Sequence, residues 1–372
     1  MGTYNWQQSD WPNFTYSLDR LESELFSFAE KVGRITGKWQ SLPEDTQQEA
    51  VINMMVAEAV KTSEIEGEHV SRNDVLSSIR RNLGLHSETE YIKDRRAAGL
   101  AELMITVRKT WQESLSQETL FTWHKMLLES SQGVIVGAWR THNEPIQVIS
   151  GAMGKEVVHY EAPPSSDVPQ EMQRFIDWFN ESAPVQEKEI KLAPVRSAIA
   201  HLYFETIHPF EDGNGRIGRA VAEKALSQGI GRPALLCLSD AIESNKSDYY
   251  EALKKAQRSN EVTDWVHYFV NTILDAQVRA EQLIDFTLQK VRFFDRYKDK
   301  LNDRQQKVIR RMLEEGPDGF EGGMSARKYV GIAKTSKATA TRDMQHLLEI
   351  GAFRRLGEAG GRSTRYGVDL SV

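Results

Sequence analysis

The 372-residue sequence predicts an all-α chain with one small β-hairpin and a C-terminal winged helix-turn-helix. Three observations carry this expectation. Long stretches place apolar residues at helical spacing, with prolines standing where first turns begin. One pair of short β-type runs, Pro145 to Ile149 and Val157 to Tyr160, interrupts the helical pattern. From Asn302 onward the order is helix, glycine-rich turn, short helix, turn, helix, then strand, turn and strand.

The elements follow in order. In the opening, TYNWQQSDWPNF, the aromatics Trp6, Trp11 and Phe14 are expected to tie the terminus onto the helices. Leu18 to Gly37 and Glu44 to Ile65 are predicted as long helices. The second has Val51, Ile52, Met54, Met55, Ala57 and Val60 among its apolar positions. Pro43 suits its first turn and Gly67 the position just past its last. Ser71 can cap a short helix reaching Leu83. Tyr91 to Trp111 and Glu118 to Leu128 read as amphipathic helices. The two β-type runs, with Ser150-Gly-Ala-Met-Gly154 between them and Pro163-Pro164 after them, read as a hairpin.

Helices over Ala193 to Glu205, with Pro194 in the first turn, and over Ile217 to Leu226 flank a glycine-rich turn. Tyr249 to Arg258 is helical, and Trp265 to Arg296 forms one or two long helices. Tyr297 to Asp303 is a polar hinge. Helices over Arg304 to Glu315, Ser325 to Val330 and Ser336 to Ile350 precede strands Phe353 to Leu356 and Thr364 to Val368, around Gly357 to Gly361. The expected division is 1–87, an N-terminal helical part; 88–296, a core with a linking helix; and 297–372, the winged helix-turn-helix.

The stretch His208-Pro209-Phe210-Glu211-Asp212-Gly213-Asn214-Gly215-Arg216-Ile217-Gly218-Arg219 carries the chemistry. A glycine-rich turn that opens a helix offers free backbone N–H groups and a positive dipole end to an anion. Asn214 adds a side-chain donor. Arg216 and Arg219, three apart, share a helix face, and guanidinium forks match phosphate oxygens in pairs. Asp212 can hold a magnesium ion against those oxygens. His208 can take a proton from a nucleophile. Together these residues read as a nucleotide-phosphate site with its own base. No GxxxxGK[ST] sequence is present, which argues against a P-loop NTPase.

The pattern HxFxDGNGRxxR is that of the Fic family, which the chain resembles at His208, Phe210, Asp212, Gly213, Asn214, Gly215, Arg216 and Arg219. The resemblance implies a protein adenylyltransferase that moves AMP from ATP to a Ser, Thr or Tyr hydroxyl of a protein. It implies His208 as general base and Asp212 as the ligand of Mg2+. Gly213, Asn214 and Gly215 would form the anion cradle, and Arg216 and Arg219 would contact the β- and γ-phosphates. Phe210 would be a core anchor. Thr62-Ser63-Glu64-Ile65-Glu66-Gly67 fits the family's inhibitory pattern [ST]xxxE[GN], so the resemblance pairs Glu66 with Arg219 as a brake, with Thr62 on the same helix face. The 145–160 hairpin resembles the family's flap, which aligns a target segment by strand addition, and Gly137-Ala-Trp-Arg140 matches its usual GxxR lead-in. Asn245, Tyr249 and Tyr250 would lie near the adenine. The opening residues resemble the N-terminal segment of one large class of bacterial Fic proteins.

Composition sets the remaining bounds. Apolar residues are 40% and charged residues 27%, ordinary for a globular chain. The net charge of −6 excludes a chain that coats nucleic acid along its whole length. One cysteine, Cys237, allows no internal disulfide and no cysteine-based zinc cluster, and its leucine neighbours predict a buried thiol. His201, Glu205 and His208 lack the HExxH order of a zinc site. No membrane-spanning run or signal peptide is read, so a cytoplasmic location is expected. A homodimer is also expected.

Residues 301–372 hold 13 Lys and Arg against 9 Asp and Glu. The helix from Ser336 would offer Lys337, Thr339, Thr341 and Arg342 to DNA within 325–366, flanked by Arg354, Arg355, Arg362 and Arg365. Other readings of the chain stay open. One is a de-AMPylating phosphodiesterase using the same site. A second is transfer from another donor, as a kinase or a phosphocholine transferase. A third is a nucleotide-sensing DNA-binding regulator.

Overall fold

The computed structural model describes residues 3–85, 94–129, 131, 133–142, 146–150, 157–357 and 364–371. Its elements are α1 (Glu22–Gln40), α2 (Glu44–Ile65), α3 (Arg72–Asn82), α4 (Arg95–Lys109), α5 (Gln117–Leu128), β1 (Gln147–Ser150), β2 (Val157–Glu161), α6 (Val168–Glu181), α7 (Ala193–Ile207), α8 (Asn214–Ile230), α9 (Leu238–Ser244), α10 (Lys246–Ala256), α11 (Thr263–Tyr297), α12 (Asp303–Leu313), α13 (Ala326–Ala333), α14 (Lys337–Glu349), β3 (Phe353–Leu356) and β4 (Arg365–Val368). The fold is helical with two small antiparallel sheets, β1–β2 and β3–β4. It divides into two compact units, 1–37 with 54–280 and 38–53 with 281–372. The boundary expected at 296/297 lies at the C-terminal end of α11, a single helix whose last residue, Tyr297, is buried.

Side-chain caps set several helix starts. Ser71, Ser116, Ser325 and Ser336 each accept a backbone N–H of the first turn, and Asn302 and Gln305 close a reciprocal capping box at α12. Pro194 stands in the first turn of α7. Two helices were not expected. α6 opens on its own proline, and α9 has only 7 residues. The expected start of α4 at Tyr91 lies outside the described residues.

In the first unit, α7 forms the centre, with all 15 residues buried. A helix apolar on every side needs neighbours all round, and α8 lies along it. Arg196 of α7 is a costly exception beside His201 and Glu205. Its guanidinium donates to the Phe179 and Ala225 carbonyls, Ser182 Oγ and Gln228 Oε1, and burial lowers its pKa to about 10. Buried cations persist where every donor is satisfied.

The N-terminal aromatics do tie the terminus down. Trp11 and Phe14 meet Tyr203 edge-on at 5.1 and 5.5 Å, and Trp6 Nε1 donates to the Glu161 carbonyl at the end of β2. Cys237 is buried and free. His201 is a packing residue whose Nε2 lies 2.8 Å from the Tyr249 hydroxyl; burial lowers its pKa to about 3.

In the second unit, Phe293, Val308, Ile309, Met312, Tyr329, Met344, Leu347 and Phe353 share one core with their neighbours. β3 and β4 pair from Phe353↔Val368 to Leu356↔Arg365. Met324, between α12 and α13, forms an isolated antiparallel bridge with Tyr366. Arg362 lies outside the described residues.

Candidate functional site

The site starts where α7 stops. His208 adopts a left-handed backbone (φ 52°, ψ 59°) and its N–H closes the helix on Phe204 O at 3.0 Å. That conformation is rare for a residue with a side chain, so the surroundings must hold it, and Arg140 does so. Its Nε donates to His208 O at 2.8 Å and its backbone N–H to Pro209 O at 3.0 Å. Its Nη2 reaches Pro163 O at 2.6 Å and Nη1 reaches Ser165 Oγ at 2.8 Å. One buried guanidinium therefore joins the loop of the histidine to the segment after β2. Burial lowers its pKa only to about 10, so it stays charged at neutral pH.

His208 is 19% exposed along its side chain, with Nδ1 3.8 Å from Glu205 Oε2. Burial, then the charge of Arg140, lowers its pKa to about 4, so the imidazole is neutral at physiological pH. Glu205 is its unexpected neighbour. Burial pushes that carboxyl up to about 8, although Arg219 pulls the other way, so it is protonated near pH 7. A Cβ at Gly218 would lie 2.3 Å from Glu205 Oε1, which explains a glycine there.

The loop then turns into α8. Gly213 has φ 82°, which glycine adopts without strain. The first-turn N–H groups of α8 face outward from the helix end. The Asn214 side chain bonds within the loop. Its Oδ1 accepts the Phe210 N–H at 2.9 Å and its Nδ2 donates to Phe210 O at 2.8 Å, so both ends brace the loop. Phe210 is the expected anchor, fully buried and stacked on His124 at 4.1 Å.

His124 was not anticipated. The Gly137 N–H can only donate, so His124 Nδ1 accepts it, at 2.9 Å, and the proton resides on Nε2, 3.1 Å from Asp212 O. Burial holds this ring neutral by lowering its pKa.

Both motif arginines are buried and already engaged. Arg219 Nε donates to Thr62 Oγ1 at 2.8 Å, and its Nη2 donates to Thr62 O at 3.0 Å and Glu66 Oε1 at 2.7 Å. Burial opposes its charge most strongly, but Glu66, Tyr249 and Glu205 together outweigh burial and raise its pKa. A Cβ at Gly215 would meet Glu66 Oε1 at 2.2 Å, so the glycine is what admits the glutamate. Arg216 bonds Asp212 Oδ1 and Glu68 Oε2, each at 3.2 Å. Glu68 was missed, because its partner lies 148 residues away and no local pattern marks it.

Asp212 Oδ1 also accepts the Gly213 N–H at 2.6 Å, and its side chain is 48% exposed. No group of three or more metal-ligating side chains gathers among the described residues. One exposed carboxylate fits a Mg2+ ion that takes most of its ligands from phosphate oxygens and water. Beyond α8, Tyr249 is 1% exposed, with its hydroxyl 2.8 Å from His201 Nε2. Tyr250 keeps an exposed ring and touches Ile65 O at 3.4 Å, and Asn245 is exposed between α9 and α10.

The hairpin forms as expected. β1 and β2 pair from Gln147↔Glu161 to Ser150↔Val157 with an irregularity at Val148/Ile149. Tyr160 fixes it to α7 by donating to Thr206 O at 2.5 Å. Its connecting residues, 151–156, and Pro145 lie outside the described residues.

Comparison with known proteins agrees with this geometry. Residues 114–226 match the Fic/DOC family, and residues 4–85 match a domain of unknown function, DUF4172. A probable protein adenylyltransferase of Aquifex aeolicus (strain VF5) is 25% identical over 195 residues, 47% of this chain and 54% of the relative. A protein adenylyltransferase Fic of Drosophila willistoni is 31% identical over 149 residues, 40% of this chain and 26% of the relative. The matched region thus spans about half of one relative and a quarter of the other.

Among solved structures, a Fic family protein from Desulfovibrio desulfuricans G20 aligns with TM-score 0.54 at 19% identity, over 96% of this chain and 98% of that one. A Fic domain containing signaling protein from Bacteroides thetaiotaomicron VPI-5482 aligns with TM-score 0.51 at 19% identity, over 68% of this chain and 97% of that one. These two show the likeness of fold. With the helical core, the assembled loop and the matched domain in agreement, residues 114–226 form a Fic/DOC family domain.

Proposed function

We propose that this protein is an adenylyltransferase that moves AMP from ATP onto a Ser, Thr or Tyr hydroxyl of a protein, and that Glu66 restrains it. The observation that supports this most directly is the convergence of one neutral histidine, the start of α8, and Arg216 and Arg219 on a single loop. Phosphoryl-type transfer asks for in-line positioning and neutralised phosphate charge more than for covalent chemistry.

The start of α8 and Arg216 would hold the α- and β-phosphates. His208 accepts the proton of the target hydroxyl as its oxygen bonds to Pα; the bond from Pα to the bridging oxygen breaks and pyrophosphate leaves. Mg2+, held by Asp212 with phosphate oxygens, would supply further charge neutralisation. The edge of the β1–β2 hairpin is suited to an added strand of the target. Glu66 takes the guanidinium that a γ-phosphate would need, and Thr62 holds that guanidinium in place.

The test is incubation with Mg2+ and ATP labelled at the α-phosphate. Label on protein that depends on His208 supports the reading. Label that is absent from wild type and Glu66→Gly alike, in a whole-cell extract that supplies protein acceptors, contradicts it.

A further inference from the structure

The second unit carries a surface that the AMP site does not use. Its positive charge is concentrated in one stretch. Residues 303–321 hold five acids and four Lys and Arg, whereas 325–357 hold seven Lys and Arg against two acids. One of those two, Asp343, is 7% exposed and spent on Arg304 (3.0 Å) and the Tyr329 hydroxyl (3.1 Å). Arg327, Lys334, Lys337, Arg342 and Arg355 are exposed and form no ion pair among the described residues.

Helix geometry groups several of these cations. In α14, Ala340, Asp343, Met344 and Leu347 are buried. Residues three and four apart share a face, so Lys337, Thr341, Arg342 and Gln345 form the opposite, exposed side. Only Lys334, Thr335 and Ser336 separate α13 from α14, and Lys334 turns the chain with φ 52°. α12, the Met324 bridge, α13, α14, β3 and β4 follow the order of a winged helix. In that arrangement the second helix of the turn enters the DNA major groove.

The chemistry favours nucleic acid over a protein partner. Protein interfaces need an apolar centre, and among the described residues of 302–371 none is an exposed large hydrophobic.

We propose that α13, α14 and β3 form a duplex-DNA-binding surface. Lys337 and Arg342 are the central phosphate and groove contacts, flanked by Arg327, Lys334 and Arg355. The inference stands apart from AMP transfer, because its readout needs no ATP.

The experiment is fluorescence anisotropy of the full chain with a labelled mixed-sequence DNA duplex, across roughly 50 to 200 mM salt. We expect affinity that falls steeply with salt. The double variant Lys337→Glu with Arg342→Glu should weaken binding at least about tenfold and reduce the log–log salt slope by about two. Its melting temperature should stay near wild type, since both side chains are exposed. Lys188→Glu, in the first unit, should bind as wild type does. Absent binding at the lowest salt overturns the proposal, and so does equal weakening by Lys188→Glu.

Discussion

Glu66→Gly removes one carboxylate from a buried guanidinium and should raise AMP transfer. Arg219 is 2% exposed and its Nη2 lies 2.7 Å from Glu66 Oε1. A hydrogen bond to a charged group contributes about 1.5–3 kcal/mol net, and each 1.4 kcal/mol is about tenfold in an equilibrium. Freeing Arg219 should therefore raise the productive ATP-bound fraction, and the initial rate, by about 10- to 150-fold. Arg219 keeps its bonds to Thr62 Oγ1 and O, so it stays aimed. The unpaired buried charge should lower the melting temperature without nucleotide, and ATP should restore more of it than in wild type. Glu66→Gln, which keeps the shape but loses the charge, should fall between the two. The assay is α-labelled ATP with gel readout of initial rates. An unchanged rate in Glu66→Gly, with the variant folded and binding ATP, would refute the reasoning.

Further outcomes follow from the same geometry. His208→Ala should abolish transfer while ATP binding, measured by calorimetry, stays within a few-fold of wild type; retained transfer would remove the base. Glu68→Gln should raise transfer less than Glu66→Gly, because Arg216 also bonds Asp212; a larger gain would place the main restraint on Arg216. The pKa of His208 is lowered from 6.5 to about 4, so it is the neutral form that persists as pH falls through 6.5. The rate of Glu66→Gly should then hold down through pH 6 and decline toward 4, and an acid limb centred near 6.5 would contradict the burial argument. Arg140→Lys should cost transfer strongly, because an ammonium cannot reproduce the fork that bonds His208 O, Pro163 O and Ser165 Oγ; a rate near wild type would show that the loop holds itself.

The long helices, the hairpin and the phosphate loop were legible because each is local. Periodicity, a proline in a first turn or twelve consecutive residues is enough to mark them. Glu66 was legible only through resemblance, since its bond to Arg219 spans 153 residues. Glu68, His124 and the work of Arg140 were hidden for the same reason: their bonds cross 148, 88 and 68 residues, and no spacing rule reaches that far. Asn214 and Tyr249 carry bonds that their residue types alone do not reveal: the fold uses Asn214 to brace Phe210 and sets the Tyr249 hydroxyl against His201. The Met324 bridge is a single residue, too short for any alternating pattern to reveal.

The central claim is that AMP, and no other part of ATP, reaches a hydroxyl through His208. Mass spectrometry of protein recovered after reaction with Glu66→Gly, Mg2+ and ATP tests it most directly. The account predicts an AMP adduct on a Ser, Thr or Tyr side chain, scarce with wild type and absent when His208→Ala is added. A phosphate adduct alone, or an AMP adduct that persists without His208, would contradict it.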